Sequence, residues 1–200
     1  MALIMQHEDH SFESKSSRTL AHVIPEAPLE HSDHGVLPVG DGWFVVNARD
    51  AQWFESDGLG FYAPFEGENA PFGELGFNLN ILRPGEPSCM YHAEETQEDF
   101  LVLSGECTLI VEGQQRRLKA WDFVHCPPWT EHVFVGSGKA PCLLLAVGAR
   151  LKGRGLRYPV NDVALKYGAG VTKETSDPKE AYDRFGDLKP VPCPDEFPSA

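Results

Sequence analysis

His92, Glu94 and Glu98 fall together in the run Tyr91-His92-Ala93-Glu94-Glu95-Thr96-Gln97-Glu98, and His132 follows downstream. The run lies at the end of a predicted strand. Residues two apart on a strand face the same side, so His92 and Glu94 point together. Glu98 comes after a tight turn, opens the next strand and can face back to the same point. His132 lies on a later strand, just beyond the turn at Pro127-Pro128. Two imidazoles and two carboxylates that converge in this way form a donor set for a divalent metal ion. Zinc, manganese, iron and nickel all suit it, because mixed imidazole and carboxylate donors do not select one. Glu94 has two readings, as a fourth ligand or as a general base beside the metal. The plainer alternative makes His92 a satisfied core histidine and leaves the two carboxylates solvated at a rim. Burying two carboxylates without a cation is costly, which favours the metal.

Other chemistry-bearing residues carry weaker signals. His125 is on the strand leading to Pro127 and is a candidate substrate contact, although a lone strand histidine is commonly structural. Cys126, beside Pro127 in a predicted buried strand, reads as an inert thiol. Phe77, Phe100, Phe134 and Trp129 read as core or cavity wall. The pairs Gly58/Gly60 and Gly168/Gly170 lack a phosphate-loop lysine and read as turns. No G-x-S-x-G element is present, which argues against a serine hydrolase.

The elements that must position the four candidate ligands are short strands. Apolar runs at Trp43–Val46, Gly60–Ala63 and Leu75–Leu82 are followed by Phe100–Leu103, Cys107–Val111, Arg116–Leu118, Phe123–Cys126, Val133–Val135 and Cys142–Val147. Gly, Pro and Ser separate them, at Pro84-Gly85, Ser104-Gly105, Glu112-Gly113 and Pro127-Pro128. Even spacing with turn residues between predicts an all-β fold, an antiparallel barrel or sandwich. Residues 1–35 are polar and read as an N-terminal arm; they hold His7, His10, His22, His31 and His34 at irregular spacing, as expected of a solvated tail. The barrel is expected over 36–150, with a C-terminal extension over 151–200. In that extension Asp177 can cap a short helix near 178–185, with Pro178 at its first position and Glu180 completing a capping box. Ala181, Tyr182 and Phe185 share one face, Gly186 ends it, and the prolines that follow suit an extended tail.

Composition narrows the function classes. The 200-residue chain has a net charge of −13 and no Lys/Arg cluster. A phosphate backbone would repel such a surface, so no nucleic-acid partner is expected. The five cysteines are scattered, odd in number and without a CxxC, which excludes a disulfide framework or a zinc knuckle. The start, Met1 to Met5 followed by His7, Glu8 and Asp9, is too short and acidic for a signal peptide, and no apolar run approaches a membrane span. A cytoplasmic protein with no membrane partner is the expectation.

The motif-bearing stretch, residues 75–148, resembles the cupin superfamily. The first cupin motif reads G-x5-H-x-H-x3,4-E-x6-G; this chain has Gly85, then His92-x-Glu94-x3-Glu98-x6-Gly105. The second reads G-x5-P-x-G-x2-H-x3-N; this chain has Pro127-x-Trp129-x2-His132. Glu94 stands where the second His belongs, and the gap from Gly85 to His92 is one residue longer than the motif. Trp121 and Trp129 replace the two glycines of the second motif, and Gly136 replaces its Asn. The resemblance implies a jelly-roll β-barrel with a metal held by His92, Glu94, Glu98 and His132. It also implies a small-molecule substrate and, as small cupins commonly pair, a homodimer. The expected function is a metal-dependent enzyme of dioxygenase, isomerase or lyase type. The alternative is a cupin that binds a small ligand without turnover, or one that uses the metal for structure alone. The set His92, Glu98 and His132 resembles the two-His-one-carboxylate arrangement of non-heme iron oxygenases, whereas ligation by Glu94 would favour Lewis-acid or proton-transfer chemistry.

Overall fold

The structure is a computed structural model that describes residues 23–150, 153 and 155–198. The first 22 residues of the arm expected over 1–35, with His7, His10 and His22, lie outside the described residues. Along the chain run β1 (Leu29–Ser32), β2 (Gly35–Pro38), β3 (Trp53–Glu55), β4 (Phe61–Ala63), β5 (Leu75–Leu82), β6 (Ala93–Glu94) and β7 (Glu98–Ser104). There follow β8 (Glu106–Val111), β9 (Gln114–Lys119), β10 (Phe123–Cys126), β11 (His132–Ser137), β12 (Cys142–Ala149) and β13 (Leu156–Arg157). Helices α1 (Asp162–Lys166) and α2 (Pro178–Ala181) precede the last strand, β14 (Lys189–Val191). The described residues therefore form an all-β fold with two short C-terminal helices, one more than expected, and a tail whose β14 pairs with β3.

Two antiparallel sheets make the jelly roll. The larger has the order β10-β7-β12-β5-β4-β3-β14, and the smaller has the order β11-β8-β9. Strand β12 sits at the centre, paired with β5 over its whole length and with β7 on its other side. Alternation then sends neighbours to opposite faces. Leu144 joins Leu82, Phe100, Val102, Leu109 and Phe134 in the core between the sheets. Leu143 points the other way, into a second cluster with Trp53, Phe61, Leu79 and Ile81. The smaller sheet is covered on its outer side by Ala164 of α1 and by Ala169, packed on Ile110, Val133 and Val135. The turn after β7 depends on Gly105, whose φ is +73° and where a Cβ would lie 2.4 Å from the Pro141 carbonyl oxygen.

Some expected elements moved. Trp43–Val46 is not a strand; Trp43 makes a single bridge with Glu26, and Val45 is almost fully exposed. Phe44 is partly covered by stacking on Phe72, so the run is held by packing rather than by strand pairing. The β1–β2 hairpin falls largely within the stretch read as an arm, and His31 and His34 are exposed on it. Helix α2 is capped by Asp177, whose carboxylate accepts from the Lys179 N–H, with Pro178 in its first turn. Glu180 accepts instead from the Thr175 hydroxyl, so the capping box is not completed. No helix among the described residues is long and apolar enough to cross a membrane.

Candidate metal centre

His92 and His132 meet backbone to backbone. They form an antiparallel bridge, with the His92 N–H donating to the His132 carbonyl (3.1 Å) and the His132 N–H to the His92 carbonyl (2.9 Å). Directly opposed residues project to the same side of a ladder, and their rings lie 4.9 Å apart. Each Nδ1 lies against a main-chain carbonyl, His92 on Met90 (2.8 Å) and His132 on Thr130 (3.0 Å). Donation there places a proton on Nδ1 and turns Nε2 toward the cavity, where it can coordinate once it carries no proton of its own. Glu98 opens β7 and brings its carboxylate to 3.6 Å from His132 Nε2 and 3.9 Å from His92 Nε2. The donor atoms of His92, Glu98 and His132 all lie within 4.8 Å of one another. This cluster could hold a metal ion.

Glu94 stands beside the set. Strand alternation carries its carboxylate to 3.9 Å from His92 Nε2, and the Thr96 hydroxyl donates to it at 3.3 Å. His125 is not brought to the cavity. On β10 the inward position is taken by Cys126, which is buried, so His125 faces solvent and its Nδ1 contacts Asp99 at 2.6 Å. Burial pushes the Cys126 thiol up to about 12, as an inert cysteine requires. Phe100 and Phe134 line the cavity, whereas Phe77 and Trp129 are substantially exposed.

The cavity holds about 290 Å³. Phe100, Phe134 and Leu144 give it an apolar floor, and Asn78 and Asn80 of β5 add amides. Tyr158 and Tyr182 close it from the C-terminal extension, and Cys89 lies 3.7 Å from His92 Nδ1. Sequence reasoning did not place these last three. The face shared by Ala181, Tyr182 and Phe185 was visible in the sequence, but nothing local said that it folds over the site. Burial, with the positive charge of His92, holds the His132 imidazole down to about 3, so it is neutral at physiological pH. Burial alone would lower His92 as well, but Cys89 and Glu98 outweigh it and raise that imidazole. One ring is thus ready to coordinate, and the other holds a proton that an arriving cation must displace.

Residues 78–148 match the profile of the cupin domain. That stretch is a cupin domain. It contains all four candidate ligands, His92, Glu94, Glu98 and His132. Among solved structures the chain is similar to a sugar phosphate isomerase of the cupin superfamily from Silicibacter pomeroyi, at 25% identity with a TM-score of 0.45, over 50% of this chain and 64% of that one. It is also similar to a polyketide cyclase from Streptomyces resistomycificus, at 16% identity with a TM-score of 0.41, over 47% and 66%. A third is an RmlC-like cupin from Shewanella frigidimarina, at 18% identity with a TM-score of 0.46, over 54% and 91%. The chain thus spans less than two thirds of the first of these. Nothing among curated proteins matches it. Two departures from the cupin motifs have a visible consequence. Trp121 and Trp129 keep the left-handed backbone that glycine would adopt, with φ of +75° and +69°. Trp129 is held there by donating its N–H to the Glu94 carbonyl at 2.6 Å.

Proposed function

We propose that the cupin cavity binds a divalent metal ion through His92, Glu98 and His132, and that the protein is an enzyme acting on a small organic molecule. The observation that carries this reading is the pair of Nε2 atoms, each aimed by an Nδ1 contact to a backbone carbonyl, with the Glu98 carboxylate within 3.9 Å of both. Three protein donors leave coordination positions for substrate or water. When bound, the ion would supply Lewis acidity toward a substrate oxygen, or redox chemistry if it is iron. Glu94 is the general base. Its carboxylate lies beside the three donors, lines the cavity and is oriented by Thr96, so it can take a proton from a substrate carbon or hydroxyl. This supports isomerase- or lyase-type proton transfer. The two-His-one-carboxylate donor set supports the second reading, a dioxygenase.

The test is metal analysis of the purified protein, followed by parallel screens for oxygen consumption and for exchange of substrate protons with solvent. A stoichiometric metal with oxygen uptake selects the dioxygenase, and proton exchange without it selects the isomerase or lyase. Protein that purifies without metal and takes none up removes the whole reading. A homodimer belongs to the same proposal. It is supported by β10, an edge strand of the larger sheet, beside which Trp121 and Phe123 are 74% and 64% exposed. Sedimentation at micromolar concentration should give twice the chain mass, and a monomer would rule it out.

A further inference from the structure

A second cavity of about 290 Å³ adjoins the metal cavity, and Tyr62, Ser88 and Tyr182 belong to the walls of both. Its remaining wall is mostly apolar, from Leu59, Phe185 and Leu188, with Gly60 and Gly186 between them. None of the described residues lining either cavity is Lys or Arg. A phosphate ester carries charge that a site built for it would meet with cationic side chains. The polar chamber instead offers donor atoms for a metal, two amides and tyrosine hydroxyls, and the second chamber offers hydrocarbon contact. Resting on the metal reading above, we infer that the substrate is amphipathic: an oxygen-bearing, phosphate-free head seated at the His92/Glu98/His132 centre, and an apolar body that passes Tyr62, Ser88 and Tyr182 into the chamber beneath Leu59 and Phe185.

The chamber is built by the C-terminal extension laid against the cupin domain. Leu59 and Gly60 come from the turn before β4, and Tyr182, Phe185, Gly186 and Leu188 from the segment that follows α2. Two contacts hold that segment in place without filling the space. The Ser56 hydroxyl donates to the Gly186 carbonyl at 3.0 Å, and the Met90 N–H donates to the Tyr182 hydroxyl at 3.1 Å. A Cβ at Gly186 would meet nothing within 4 Å, and the backbone there is not left-handed, so a side chain can be added without strain. The extension therefore shapes a pocket rather than packing shut.

A homologous series of straight-chain hydroxamates, from acetohydroxamate through butano- and hexano- to octanohydroxamate, tests this on the zinc-loaded full-length protein by calorimetry. The head chelates the metal, and only the tail varies. Affinity should rise about fourfold for each methylene that enters the chamber. In Gly186→Leu, which adds bulk at the chamber wall, that rise should disappear. Leu188→Asp, at an exposed position on the rim, should also flatten it, and circular dichroism reports whether each variant is folded. Zinc bound at one per chain with affinity independent of tail length would overturn the inference and leave the metal reading intact. A rise with tail length that both folded variants preserve would overturn the placement of the body. Failure of the protein to bind zinc at all would overturn the metal reading, and the inference with it.

Discussion

The cupin domain and the segment that follows it divide the work of the site unequally. Residues 78–148 hold His92, Glu98 and His132, each fixed by a bridge or ladder around a core shared by Phe100, Phe134 and Leu144 of the two facing sheets. The segment from Leu156 onward supplies no candidate ligand. It supplies the lid: β13 pairs with β6 beside Glu94, Tyr158 and Tyr182 close the cavity, and a small cluster of Met90, Tyr158, Val171 and Ala181 anchors them. Donor atoms need placement to a fraction of an ångström, and a sheet paired on both sides provides it. A wall that selects the shape of a substrate tolerates looser support. The difference teaches that the candidate donors lie in the part of the chain matching the family, while much of the cavity wall comes from the part outside it.

The sharpest way to break that division is to exchange the expected phenotypes. His132→Ala removes a nearly inaccessible donor and should reduce metal content from stoichiometric to trace, as read by elemental analysis. No lid substitution should do this. Retention of full metal content in His132→Ala would take that residue out of the centre. Chelation gives the next largest effect. A metal that binds only the folded protein stabilises it by about 2.7 kcal/mol at a free concentration of 100 times its dissociation constant. For a chain of this length that corresponds to a melting temperature lower by roughly 5–10 °C after chelation. The effect should be larger at pH 7 than at pH 5, because His92 is raised and its proton competes with the ion as pH falls. A chelator that strips the metal and leaves the melting temperature unchanged at both pH values would uncouple site from fold.

The same division decides what could be read from the sequence. The cluster of His92, Glu98 and His132 was legible because such residues are rare in a barrel interior and their spacing follows strand alternation. His92 and Glu94 are two apart, and Glu98 opens the next strand. The jelly roll was legible from evenly spaced apolar runs. His125 was misplaced by one step of parity, since Cys126 takes the inward position on β10 and sends its neighbour to Asp99. Trp43–Val46 looked like a strand because it is apolar, but apolarity does not supply a partner to pair with. Helix α1 escaped notice because only five residues carry it, although Asn161 caps it by accepting from the Val163 and Ala164 N–H groups. The lid was illegible for a different reason. Tyr158 reaches His92 and Tyr182 reaches the same cavity across long loops, and no local pattern records a contact of that range.

Tyr182 offers a way to sharpen the comparison at moderate cost. Its hydroxyl accepts from the N–H of Met90, a residue that is 1% exposed. Tyr182→Phe keeps the ring and leaves that donor unpaired, which costs about 1–3 kcal/mol. The urea midpoint should fall accordingly while metal content stays at wild type. A variant with unchanged stability that loses its metal would mean that the lid helps to build the centre after all.

The smallest effect tests how the tail beyond the lid is fastened. The Glu196 carboxylate meets Arg83, just past β5, with Nε and Nη2 each at 2.8 Å. Arg83 also stacks on the Phe61 ring at 4.6 Å and contacts Glu86 at 3.4 Å, so the guanidinium is held from the barrel side. Burial alone would raise the Glu196 carboxyl, but the Arg83 hydrogen bond and charge outweigh it and lower it. A carboxyl lowered in the folded state stabilises the protein above its ordinary range, and the contribution is lost as pH falls through the lowered value. Both side chains are partly exposed, so the pair is worth less than about 1 kcal/mol. Glu196→Gln should therefore lower stability slightly at pH 7 and progressively less as pH is brought down through the carboxylate range, in urea melts run beside the wild type. High salt should shrink the difference at pH 7. A deficit that is the same at every pH would mean that the tail is held by packing around Phe197 on Trp53 rather than by charge.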